Sequence, residues 1–148
     1  MDLSTAYPSA ASAGRGFALI DRQHVLIVDE IVPKARLSSV VWQMHTAAHV
    51  GLGNATAALI FPAQSDSAES PRFYVRVIDP ALGTLSLRSA APSDPQGQNP
   101  NTCIAKLVFR LQEVAQPVRL AVLLSRDPNA SETFELPFPL RGPLSDWV

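Results

Sequence analysis

Between Val40 and Thr46 apolar and other residues alternate, with Val40, Trp42 and Met44 on one side of an extended chain and Val41, Gln43 and His45 on the other. The first set is wholly apolar and is expected to face a core. The second mixes apolar and polar residues, as on a sheet face lying under a loop or beside another domain. Trp42 is the largest side chain of the inward set and brings an indole N–H that needs a partner. The flanking Val-Val-Trp favours strand over helix.

Similar β patterning recurs along the chain. Strands are predicted over residues 17–20, 25–32, 40–46, 55–61, 73–79, 84–89, 102–113 and 117–125, with a last short one over 133–139. Pro137 and Pro139 confine that last strand to a sheet edge. Turn and loop signals separate them: Asp21-Arg22-Gln23-His24, the basic Pro33-Lys34-Ala35-Arg36, Gly51-Leu52-Gly53-Asn54 and Asp79-Pro80-Ala81-Leu82-Gly83. Residues 62–72 read as a surface loop, 126–131 as a turn, and 90–101 as the longest irregular segment, with three prolines. No repeat and no convincing amphipathic helix interrupts the pattern. The expected fold is an all-β antiparallel sandwich of about eight or nine strands. Its expected organisation is a small, polar and flexible lead-in at 1–16, the sandwich at 17–140 and a C-terminal tail at 141–148 tied down at most by Trp147.

Within that frame some polar residues stand out. Asp29 and Glu30 interrupt the apolar run at 25–32 and point to opposite faces, so one carboxylate needs solvent or an arginine such as Arg22. His45 and His49 have the spacing of the histidines in the H-E-x-x-H zinc helix, but Thr46 follows the first histidine where the glutamate base belongs. A metal site is therefore not expected, and no catalytic residue is assigned. Lys106 and Arg110 alternate with apolar neighbours and are expected to line one sheet face, with their stems lying over it. His45, His49, Lys106 and Arg110 are the candidates for contact with a bound ligand. Cys103 lies in an apolar run and reads as a small buried residue.

Composition narrows the classes of partner. The chain has 148 residues, 12 basic and 13 acidic, with a formal net charge of −1. That balance supplies no broad field for nucleic acid or an anionic membrane, while leaving room for a local basic patch that meets an acidic sugar. With one cysteine there is no internal disulfide. No apolar run is long enough for a membrane span, and the start of the chain lacks the pattern of a signal peptide. No cofactor is implied, and the compartment stays open.

Several segments taken in order resemble a known family: Asp2-Leu3-Ser4-Thr5-Ala6-Tyr7, Arg15-Gly16, Asp21-Arg22, Val28-Asp29-Glu30 and Trp42-Gln43-Met44-His45-Thr46. Together they resemble the C-terminal β-domain of heparinase II/III-like polysaccharide lyases, over roughly residues 2–127. The resemblance implies a domain that follows an α/α toroid in enzymes cleaving uronic-acid polysaccharides by elimination. It also implies export, which the family usually undergoes. That chemistry needs a base, commonly tyrosine or histidine, and a means of stabilising enolate-like charge. The family's toroid and the histidine-rich stretch at the start of its β-region have no counterpart in this sequence. His24, His45 and His49 match none of the family's catalytic or zinc-binding positions. Tyr7 falls in a matched segment with no role to inherit.

The leading expectation is an accessory β-sandwich, or truncated product, of such a lyase, inactive alone and liable to self-associate through a sheet face its toroid once covered. A free-standing carbohydrate-binding or protein-interaction sandwich is the alternative. A third possibility is a small enzyme using His45 or His49 with Asp29.

Overall fold

In the computed structural model two antiparallel sheets lie face to face; it describes residues 1–63, 69–79, 83–94, 96–130 and 134–147. Its strands are β1 (Ala10–Ile20), β2 (His24–Pro33), β3 (Leu37–Thr46), β4 (His49–Leu52), β5 (Thr56–Ile60), β6 (Arg72–Asp79), β7 (Thr84–Ser89), β8 (Ala105–Val114) and β9 (Val118–Ser125). One sheet has six strands in the order β1-β2-β9-β6-β5-β4, and the other has three in the order β3-β8-β7. The all-β sandwich of nine strands matches the expectation from the sequence. β2 pairs with β9 in the larger sheet, while their chain neighbours β3 and β8 pair in the smaller one. The two-stranded ribbon of β2 and β9 thus folds over between the sheets and continues as β3 and β8.

The alternation explains the packing. Trp42, Leu85, Leu107, Phe109 and Leu111 from the smaller sheet meet Ala57, Leu59, Val75, Val77, Leu120 and Val122 from the larger. This interleaving of two inner faces is the main core. A second cluster lies on the other face of the larger sheet. There Ile20, Leu26, Val28 and Ala121 are covered by Phe134, Leu136, Leu140, Leu144 and Trp147. Residues 26–28 are apolar on both faces because both are covered there, one by the facing sheet and one by the C-terminal segment.

Several expectations change. β1 starts at Ala10, not residue 17. Its first half, Ala-Ala-Ser-Ala-Gly-Arg-Gly, carries few β-formers and is held instead by pairing with β2. The N-terminal residues are also tied: Leu3 N–H donates to Ala13 O at 2.7 Å and Arg15 N–H to Met1 O at 2.9 Å. Cys103 is exposed, because Asn101 and Cys103 adopt positive φ in a turn that precedes β8. The Ile104 N–H closes that turn on Asn101 O at 3.0 Å.

The expected last strand is not formed: 134–137 pair with no strand, and a short helix, α1 (Phe138–Arg141), follows Pro137. Proline favours such a helix start and cannot donate to a ladder. The C-terminal tail is gripped by more than its tryptophan. Glu30 accepts from Leu144 N–H at 3.1 Å, and Arg119 donates to Leu140 O at 2.6 Å. Residues 64–68, 80–82, 95 and 131–133 belong to the expected loops, turns and last strand and lie outside the described residues.

Candidate functional site

Three strands position a cationic surface. In the smaller sheet Trp42 and Leu85 flank Phe109 on the inward face, so the rows between point outward. Those rows are Val41–Arg110–Thr84, Gln43–Val108–Ser86 and His45–Lys106–Arg88. Among these positions there is no carboxylate. His45, Arg88 and Arg110 are exposed and Lys106 is half-buried. Val108 is 6% exposed although its row faces outward, which fits long basic stems lying across it. Like charges directly opposite each other in an antiparallel pair are unfavourable, so the row carrying Lys106 and Arg88 costs stability. Arg110 is braced by donating from Nη1 to Ser39 Oγ at 2.9 Å.

The structure thus assembles His45, Lys106 and Arg110, and it adds Arg88. The alternation of residues 84–89 was visible in the sequence. That Arg88 stands opposite Lys106 follows only from register. His49 does not join them. It lies on β4 at the edge of the larger sheet, and its neighbour Val50 packs on the core while His49 is exposed. The turn through Ala47 and Ala48 carries the chain from one sheet to the other, which parts the two imidazoles. Among the described residues no three His, Cys, Asp or Glu side chains converge as metal ligands. No helix among them is long and apolar enough to cross a membrane.

Beside β3 a cleft of about 420 Å³ opens between that edge strand and the β1–β2 hairpin. The N-terminal turn contributes Leu3, Tyr7 and Pro8 to it, and β3 contributes Ser38, Ser39 and Trp42. Its walls are mainly apolar. The polar feature is the cross-strand pair Arg15 and Asp29. Arg15 Nε donates to Asp29 Oδ1 at 2.5 Å and Nη2 donates to Oδ2 at 2.7 Å, a bidentate fork. The Asp29 side chain is 9% exposed and that of Arg15 31%.

The hydrogen bond to Asp29 raises the Arg15 pKa above its ordinary value, against the lowering effect of burial, and the nearby Asp29 and Tyr7 charges act in the same upward direction. Arg22, the partner suggested by the sequence, instead occupies the β1–β2 turn at positive φ. Asp29 therefore faces the cleft and is neutralised there. Glu30 faces the opposite side and meets Arg119 at 3.6 Å. Ser39 joins the two regions: it lines the cleft and accepts the Arg110 bond from the basic face.

No family model matches the chain, and no curated protein matches it.

Proposed function

We propose that this chain is a non-catalytic β-sandwich that binds acidic polysaccharide, of the accessory kind found in heparinase II/III-like lyases. The observation that carries the reading is the outward face of the three-stranded sheet, where Arg88, Lys106, Arg110 and His45 share a surface without an acidic position. Three fixed cations on one sheet attract a polyanion despite a chain net charge of −1, because local fields govern contact at short range. The repulsion built into the Lys106–Arg88 row is relieved when a sulfate or carboxylate bridges it. The resemblance of residues 2–127 to the lyase β-domain supplies the same class of ligand. No cofactor enters this reading.

A second feature supports the accessory role. Phe17 and Leu19 on β1 are 56% and 67% exposed, and Val25, the register partner of Leu19, is exposed beside them. Such a patch at the end of the larger sheet suits a neighbouring domain, the role of the α/α toroid in the family.

The test is retention on immobilised heparin and on alginate, eluted with salt. The expected result is retention lost as salt rises, and earlier elution for a Lys106→Ala, Arg110→Ala double variant. Each cation removed is expected to cost about 0.2–1 kcal/mol of binding. Flow-through of the folded wild-type chain at low salt overturns the proposal. Release of unsaturated uronate by the purified chain overturns its non-catalytic part.

A further inference from the structure

We infer that the cleft between β3 and the β1–β2 hairpin is a second binding site, and that it takes a neutral sugar ring through the Arg15–Asp29 pair and Tyr7. The ion pair leaves part of each partner unused. Its fork engages Nε and Nη2 of Arg15, so Nη1 makes no hydrogen bond to the described residues. Asp29 is bonded once at each oxygen, and a carboxylate oxygen has capacity for a further donor. The second Nη2 hydrogen of Arg15 lies next to Oδ2 of Asp29, so the pair leaves a donor and an acceptor side by side. A hydroxyl both donates and accepts, and adjacent ring hydroxyls can meet both groups together.

Charge argues for a neutral ligand. Arg15 and Asp29 cancel, and the remaining polar lining consists of serines, the Tyr7 hydroxyl, the Trp42 indole N–H and backbone, all uncharged. An anion entering here gains little from Arg15, whose charge is already held by a carboxylate less than 3 Å away. This separates the cleft from the basic face. Size and shape fit a single terminal ring or a little more. A volume of about 420 Å³ lies toward the lower end of the roughly 300–1,000 Å³ typical of small-molecule pockets. Apolar walls suit the C–H face of a pyranose, and the exposed Tyr7 offers a ring against which it can lie.

The site is also built to hold its shape. Ser4 accepts the Ala13 N–H at 3.0 Å and donates to Asp2 at 2.6 Å, which fixes the turn that carries Leu3 and Tyr7. The floor is the β1–β2 ladder itself. Sites on regular elements are positioned more accurately than sites on loops.

The test uses the full chain with cellobiose and chitobiose as neutral probes, followed by ¹⁵N–¹H correlation spectra. The expected result is a saturable change confined to Tyr7, the Arg15 Nε–H, Ser38, Ser39 and the Trp42 indole, unaltered by added salt. Tyr7→Ala is expected to weaken it about fivefold, and Arg15→Lys about tenfold. Tyr7 is exposed, so its variant tests the site even where the Arg15 variant loses structure. Lys106→Ala is expected to leave it unchanged. No saturable change with either probe up to its solubility limit overturns the inference, as does a change that maps to other residues or is unaffected by Tyr7→Ala. Because heparin retention depends on salt and Lys106 while this signal does not, either result stands without the other.

Discussion

Lys106 lies directly opposite His45 on one side and Arg88 on the other in the three-stranded sheet. A central strand with cationic or protonatable partners on both sides gives up stability at that row, and the geometry offers no internal acid to offset it. Lys106→Glu places an acid between the two. It is expected to stabilise the fold by roughly 0.2–1 kcal/mol in urea unfolding. It is also expected to weaken binding to heparin. Loss of both stability and binding contradicts this description of the row.

The Arg15–Asp29 pair is asymmetric. Arg15→Ala leaves a carboxylate that is 9% exposed without its fork, and a cost of about 3 kcal/mol is expected. Asp29→Ala leaves a guanidinium that is 31% exposed and can turn to water, so its cost is expected to be about half as large. Chemical denaturation of the two variants gives the order directly. A larger loss for Asp29→Ala contradicts the burial assigned to the pair.

Gly16 sits beneath the C-terminal segment. A Cβ there would collide with Leu144 Cδ2 and press on the Trp147 ring. Gly16→Val is expected to cost about 1–3 kcal/mol by overpacking. It should also make residues 134–147 cleave faster in limited proteolysis, since that segment covers Ile20, Leu26 and Val28. An unchanged cleavage rate places the segment elsewhere.

Acid should loosen the N-terminal turn. Hydrogen bonds from the Ser4 hydroxyl and then its backbone N–H hold the Asp2 pKa below its ordinary value of 3.8. A depressed folded pKa means that the contribution is present above pH 3.8 and is lost as pH falls through the lower folded value. Amide exchange at Ser4, corrected for its intrinsic pH dependence, is expected to lose protection below pH 3.8, and Asp2→Asn to reduce that change. Protection independent of pH in that range contradicts the turn.

Much of the sheet architecture was legible in the sequence, where β-branched and aromatic residues alternate. β2 and β3 emerge within a few residues of their predicted ends because their side chains fit a covered sheet. The first half of β1 was not legible, since small residues record neither period. The C-terminal cover reads as a strand in the sequence because apolar residues between prolines suit an edge strand and a packed strap alike. The Arg15–Asp29 pair was half within reach: counting outward from the expected turn at 21–24 sets residue 15 against 30, and the shorter turn that forms pairs Ile20 with His24 and so Arg15 with Asp29. Arg88 joining Lys106 was not, because register between β7 and β8 spans the segment 90–101, whose length carries no pairing rule.

The most direct test of the central claim is a residue-level map of where a heparin fragment touches the folded chain, read from amide shifts during titration at low salt. The largest changes are expected on Gln43, His45, Arg88, Lys106 and Arg110, fading as salt is added. Changes centred on other arginines such as Arg72 and Arg126, or none at all, would contradict that claim.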